Sequence, residues 1–126
     1  NTGGGRDTWK RPVMGGIADK YCEQIILTNE DPYDENPEQI VNEVANGIKN
    51  KKVKIIMDRG QAIAEAINLA RANSAVLITG KGTDPYIMEA NDKRTPWSDA
   101  NVAREKLEEE LKNRQKSQQT KQISEV

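Results

Sequence analysis

The feature that most constrains this chain is an alternation. Apolar residues at helical spacing give way repeatedly to short runs rich in β-branched residues. Val13, Met14, Ile17, Ala18 and Tyr21 recur every three or four positions, which predicts a helix over residues 9–21 with that stripe facing a core. Ile25-Ile26-Leu27 is short and continuously apolar, as expected of a strand over 24–28 buried on both faces. Asn36 can cap a helix that begins at Pro37 and carries Ile40, Val41, Val44 and Ile48, with Lys49, Lys51 and Lys52 at its negative end. A second strand is expected over 53–57, a helix capped by Asp58 carries Ile63, Ala64, Ile67 and Ala70, and a third strand is expected over 75–78. Strands that alternate with helices over short connections imply a mostly parallel sheet with right-handed crossovers. The fold class that follows is a small Rossmann-like, three-layer α/β domain.

Two elements complete it. Residues 86–88 and 93–95 flank Asn91-Asp92, a pair suited to a tight turn, so a small hairpin is expected there with Trp97 covering it. Ser98 or Asp99 caps a C-terminal helix with Val102, Leu107 and Leu111 on one side and Glu105, Glu108, Glu109 and Glu110 mostly outside. Apolar anchors stop near Lys112, which divides the chain into a domain over 1–112 and a mobile polar tail over 113–126.

Composition narrows the function. Nineteen basic against twenty acidic side chains leave no global charge to attract nucleic acid or a membrane surface. The apolar runs are too short for a membrane span or a signal-peptide core, so a cytoplasmic site is the default expectation. The sequence contains no histidine, which removes histidine-dependent triads and His-ligated metals. The single cysteine, Cys22, has no histidine to activate it and is expected to be a buried, inert thiol.

In open parallel sheets ligands sit beyond the carboxyl ends of the strands, which singles out residues 29–36, 58–61 and 80–85. The opening run Gly3-Gly4-Gly5-Arg6-Asp7-Thr8-Trp9-Lys10-Arg11-Pro12 adds a flexible, amide-rich loop leading into a basic helix start, suited to phosphate or carboxylate. A βα loop of this kind needs a strand before it, so the natural protein is expected to continue upstream of Asn1. The common nucleotide signatures fail. Gly80-Lys81 is followed by Gly82 rather than Ser or Thr, with Ala75 where a P-loop has its first glycine, and Thr8 replaces the third glycine of a dinucleotide loop. A chain without a P-loop is expected to be inactive by itself.

Four ordered blocks carry a resemblance. Gly4-Gly5-Arg6-Asp7-x-x-Lys10-Arg11-Pro12-x-Met14-Gly15, Thr28-Asn29-Glu30-Asp31-Pro32-Tyr33, the stretch from Asp34 to Ile40, and Gly80-Lys81-Gly82-Thr83-Asp84-Pro85-Tyr86 closely resemble the C-terminal domain of the Mur ligases, in the UDP-N-acetylmuramoyl-tripeptide synthetase branch. The resemblance spans roughly Gly3 to Leu111. It implies an ATP- and Mg2+-dependent amide ligase of peptidoglycan synthesis, whose central domain binds the nucleotide and phosphorylates a UDP-linked muramoyl dipeptide. The C-terminal domain then presents a diamino acid whose amine attacks the acyl phosphate. Carried over by position, Arg6 would pair with a carboxylate of that amino acid, Gly80 and Asp84 would meet its amine, and Asp7 and Lys10 would lie on the nucleotide side. No residue of this chain is implied as catalytic or as a metal ligand.

Two departures bear on the substrate. Tyr33 stands where the family's Asn-Pro-Arg motif has its arginine, and Asp31 stands where that motif has asparagine. With Glu30, Asp34 and Glu35 alongside, the local charge becomes acidic, which favours L-lysine over meso-diaminopimelate. Against this, the acids can simply cap the helix at Pro37 and stay solvated. Lys81 is expected either to touch ligand or to be a solvated loop lysine, Arg59 to be a surface charge at a helix start, and Trp9 and Trp97 to cover the ends of the sheet. Two rival functions stay open: a non-catalytic flavodoxin-like anion-binding or interaction module, and a related amide ligase of the cyanophycin or folylpolyglutamate synthetase type.

Overall fold

The structure, a computed structural model, describes residues 2–125. In chain order it comprises α1 (Lys10–Tyr21), β1 (Ile25–Leu27), α2 (Pro37–Ala45), β2 (Val53–Ile55), α3 (Arg59–Leu69), β3 (Tyr86–Met88), a 3-10 turn (Ala90–Asp92), β4 (Arg94–Pro96) and α4 (Asp99–Ser124). β1 and β2 pair in parallel, Ile25 opposite Val53 and Leu27 opposite Ile55, with α2 as the crossover between them. β3 and β4 form an antiparallel hairpin, Tyr86 opposite Pro96.

Capping chemistry starts the helices where local sequence places them. The Asn36 side chain accepts from the Glu38 and Gln39 amides, Asp58 from Gln61, and Ser98 from Asn101. α2 and α3 then bury one face each. Ile40, Val41 and Val44 join Ala62, Ile63 and Ile67 around Ile25, and Ile87 of the hairpin completes the buried apolar set among the described residues. The hairpin turns through Asn91 and Asp92, both at positive φ, where a short polar side chain is tolerated.

Four expectations are corrected. First, residues 74–79 make no strand. They run without a ladder partner, and Val76 and Leu77 are exposed, because neither β1 nor any other described strand pairs with them. An apolar run becomes a strand only when its backbone groups have partners. The parallel sheet is therefore two strands wide, not three.

Second, the apolar stripe of α1 does not face a core. Val13, Met14, Ile17 and Tyr21 are 42–74% exposed, and the helix buries Arg11, Gly15 and Asp19 instead. That opposite face meets α2 through backbone. A Cβ on Gly15 would overlap the Val44 carbonyl, and one on Gly47 would overlap the Pro12 carbonyl, so glycine at both positions is what permits the approach. Asp19 then caps the turn after α2, accepting from the amides of Lys49, Asn50 and Lys51 at 2.8–3.2 Å.

Third, the polar tail expected beyond Lys112 is helical: α4 continues to Ser124, and every described residue beyond Leu111 is exposed. Arg114 ties the helix to α3 by donating to the carbonyls of Asn68 and Ala70 at the α3 C-terminus, where a cation is favoured. Fourth, Cys22 is half-buried, not buried.

Candidate functional site

The opening loop, residues 29–36 and residues 80–84 meet at one rim beyond β1. The Thr2 amide and hydroxyl both donate to Glu30 Oε1, the Gly4 amide donates to the Asp31 carbonyl at 2.7 Å, and the Gly5 amide donates to Glu35 Oε1. Glu30 also lies against Gly80, whose φ of +109° is a backbone conformation that favours glycine. The β3–β4 hairpin docks on the same middle loop. Tyr33 donates its amide to the Met88 carbonyl, Met88 donates to Asp31 Oδ1, and Asn91 donates to Asp34 Oδ1.

Buried charge holds this rim. Arg11 is fully buried and bonds the carbonyls of Thr2 and Gly3 together with the carboxylates of Glu35 and Glu43. Burial works against its charge, yet the hydrogen bonds to Glu43 and Glu35 raise its pKa above the ordinary arginine value. Glu35 is held below the usual carboxylate range by the Gly5 amide and by Arg11, and Glu43 by Arg11 and Gln39. Arg59 makes a second hub. It pairs with Asp99 through both carboxylate oxygens and also bonds the carbonyls of Asn29 and Thr79, which binds the end of β1 to the end of the unpaired 74–79 run. Burial pushes Asp99 up, but Arg59 and the Trp97 indole N–H outweigh it and bring the group below its ordinary value. The third hub is Lys81, whose Nζ lies 2.7 Å from both oxygens of Asp31 with both side chains buried.

These hubs recast several residues singled out in the sequence. Asp31 faces Lys81 and the Met88 amide, so its carboxylate is spent inside the protein and is not offered to a ligand. Glu30 and Glu35 are engaged likewise, so of the acidic cluster only Asp34 is exposed. Lys81 offsets the charge of Asp31 and Arg11 that of Glu35, which removes part of the acidity that favoured a lysine substrate. Lys81 is not a solvated lysine, and Arg59 is not a surface charge. Trp97 is partly buried against Asp99, whereas Trp9 is 65% exposed, with Lys10 Nζ 5.6 Å from its ring centre.

Other candidates remain open to ligand. Arg6 is exposed and its side chain has no hydrogen bond or ion pair among the described residues. Asp84 is 64% exposed and lies 3.7 Å from Lys81. Asp7, just before α1, pairs with Lys10 at the start of that helix at 2.8 Å. Tyr33 is half-buried with φ of +51°, a conformation a bulky side chain adopts at a cost of about 1–3 kcal/mol. Strain of that kind survives only where the surroundings over-determine it, here the Met88 bond and the Pro32–Glu35 turn.

Sequence reasoning missed Arg11, Asp19, Glu43 and Asp99. One signal was available: Arg11, Gly15 and Asp19 sit four residues apart, a second helical stripe opposite the apolar one. Elsewhere, an open polar groove of about 480 Å³ runs along the α3–α4 seam, lined by Asn68, Glu110, Arg114 and their neighbours. It involves none of the rim residues. Among the described residues no group of three or more Asp, Glu, Cys or His side chains converges as a metal cage. Of the rim carboxylates, Glu30, Asp31 and Glu35 are taken by Arg11, Lys81, the Thr2 hydroxyl and backbone amides, while Asp34 and Asp84 face solvent. No described helix is long and apolar enough to cross a membrane.

A family profile described as "Mur ligase, glutamate ligase domain" matches residues 2–82. The chain belongs to the Mur ligase family. Among curated relatives, the UDP-N-acetylmuramoyl-L-alanyl-D-glutamate--2,6-diaminopimelate ligase of Aquifex aeolicus is 46% identical over 106 residues, covering 83% of this chain and 22% of the relative. The ligase of the same name from Clostridioides difficile is 44% identical, again over 83% of this chain and 22% of the relative. A solved structure of a UDP-N-acetylmuramoyl-L-alanyl-D-glutamate--2,6-diaminopimelate ligase matches with a TM-score of 0.78 at 34% identity, over 86% of this chain and 23% of that one. The chain thus spans about a fifth of the length of these relatives. The likeness to a solved Mur ligase bears out the mixed α/β class, with its short parallel sheet, hairpin and C-terminal helix.

Proposed function

We propose that this chain is the amino-acid-presenting domain of an ATP-dependent Mur ligase that joins a diamino acid to UDP-MurNAc-L-Ala-D-Glu in peptidoglycan synthesis. The observation that carries the reading is the meeting of the opening loop, residues 29–36 and residues 80–84 at one rim, in a chain 46% identical to a ligase of that name. In the reaction the D-Glu side-chain carboxylate takes the terminal phosphoryl group of ATP, releasing ADP. The amine of the diamino acid attacks the acyl phosphate carbonyl, the C–N bond forms, phosphate leaves with the C–O electron pair, and the amine loses a proton. Nucleotide and metal belong in this reading to a central domain of the same protein, with Asp7 and Lys10 on the side facing it.

The work of the present chain is to bind and orient. Arg6, exposed and unpaired among the described residues, offers a planar fork of donors to the amino acid's α-carboxylate. Asp84 and the Gly80 backbone receive the amine, and Tyr33 lines the side-chain end. Holding the amine against the acyl phosphate lowers the entropic part of the barrier. Asp31 is withdrawn from the set of ligand contacts because Lys81 occupies it.

The preference for L-lysine now rests chiefly on Tyr33, since Lys81 offsets Asp31 and Arg11 offsets part of the Glu35 and Glu43 charge. The relatives' names specify 2,6-diaminopimelate, and we take a diaminopimelate-type diamino acid as the first substrate to test, with lysine as its competitor. The deciding experiment measures ADP release by the full-length enzyme with UDP-MurNAc-L-Ala-D-Glu, ATP and each diamino acid in turn. Efficient turnover with diaminopimelate supports the reading, and a strong preference for lysine would show that the missing guanidinium at Tyr33 sets the choice. No turnover with any diamino acid would leave the binding-module or related-ligase alternatives. The isolated chain is expected to show no turnover.

A further inference from the structure

We propose that Lys81 is a positioning residue for the incoming amino acid: from a buried site it locks residues 29–35 to residues 80–84 and aims the Asp84 carboxylate at the rim. The inference deepens the ligase reading and rests on it. Lys81 cannot touch substrate itself, because its side chain is 1% exposed. Its ammonium group instead reaches Asp31 at 2.7 Å on both oxygens and Asp84 at 3.7 Å. The Asp84 amide closes the turn back onto the Lys81 carbonyl at 3.0 Å, and Gly80 and Gly82, both at positive φ, allow the chain to fold that tightly around the lysine.

Charge bookkeeping identifies the group left over. Beneath the rim Lys81 pairs with Asp31 and Arg59 with Asp99, one cation to one carboxylate in each pair, while the buried Glu30 is held by the Thr2 amide and hydroxyl. Asp84 is the next carboxylate along, 64% exposed, and its charge is surplus to the buried group. A carboxylate tethered on one side by an ammonium and open to water on the other is set to receive a second ammonium, the α-amino group of a diamino acid before it loses its proton. Burying an ion pair seldom adds stability over apolar residues of similar shape, so fixing geometry is the benefit this pair is suited to provide.

The test uses the full-length enzyme. Lys81→Met keeps the length of the side chain and removes its charge. The expected result is a KM for the diamino acid raised about tenfold or more, with the KM values for ATP and the UDP-dipeptide within about twofold of the unmutated enzyme. Because Lys81→Met strands the buried Asp31 carboxylate, Asp31→Asn/Lys81→Met is made alongside it, leaving a neutral, similarly sized pair. A merely structural pair predicts that the double variant regains both the melting temperature and the amino-acid KM. Positioning predicts that the melting temperature returns while the KM stays raised, because Asp84 still lacks its tether. An unchanged amino-acid KM in either folded variant overturns the inference and leaves the ligase reading intact. Absence of turnover by the unmutated enzyme with every diamino acid overturns both.

Discussion

Helices α1 and α2 carry the same message in the sequence and meet opposite fates. On α2, Ile40, Val41 and Val44 are 4–9% exposed, whereas on α1, Val13, Met14, Ile17 and Tyr21 are 42–74% exposed. Periodicity reports that a helix has an apolar face and does not say that anything lies against it. The two helices nonetheless pack together. α2 contributes its apolar face to the core, and α1 is fastened through glycine, a buried arginine and a capping aspartate. The run 74–79 resembles α1 in this respect, since Ala75, Val76 and Leu77 are exposed and its Thr79 carbonyl is held by Arg59.

The largest expected effect tests fastening by charge. Arg59→Met should cost about 3–5 kcal/mol in urea unfolding, because Asp99 is left buried without its partner and the Asn29 and Thr79 carbonyls lose a donor. A cost below about 1 kcal/mol would mean that 74–79 is held by something other than this guanidinium. Next comes the contrast between the helices themselves. Ile40→Ala on α2 should cost about 2–5 kcal/mol as a core truncation, and Ile17→Ala on α1, half-exposed at 50%, should stay within about 0.5 kcal/mol. Equal costs would mean that the apolar faces of α1 and α2 are buried alike. Gly15→Ala should then cost about 1–3 kcal/mol despite alanine's better helix propensity, since the new methyl meets the Val44 carbonyl. A neutral Gly15→Ala would show that the helices can separate freely.

What the sequence made legible follows the same division. Asn36, Asp58 and Ser98 cap the helices they were expected to cap, and the hairpin turns at Asn91-Asp92, because caps and turns are decided by residues a few positions apart. The expected strand at 75–78 failed because a ladder is a property of two segments, and the partner's presence is not written in the run itself. The rim loops were legible from motif spacing, but the state of their charges was not. Asp31 and Lys81 are fifty positions apart, and nothing local says that they neutralise each other. In a chain that is 31% charged, Arg11, Arg59 and Lys81 look like surface. Only the four-residue spacing of Arg11, Gly15 and Asp19 hinted otherwise.

Acid gives the gentlest way to separate the two kinds of attachment. α1 is anchored by carboxylates whose pKa values are lowered in the folded protein. Burial raises Asp19, but the Lys51, Asn50 and Lys49 amides and the Asn50 side chain win and lower it, and Glu35 and Glu43 are lowered chiefly by the Gly5 amide and by Arg11 respectively. A group with a depressed folded pKa binds its proton more readily when unfolded. Its contribution is therefore complete above the ordinary carboxylate range, near pH 4, and is lost as pH falls through the folded values. The apolar contacts of α2 have no such dependence. Hydrogen exchange, corrected for the intrinsic effect of pH, should show α1 amides losing protection below about pH 4. The amides of α2 and β1 should hold theirs further into acid. Loss of protection in α1 and α2 together at one pH would mean that the helices unfold as one unit, and that the charged anchor of α1 and the apolar anchor of α2 are not separable.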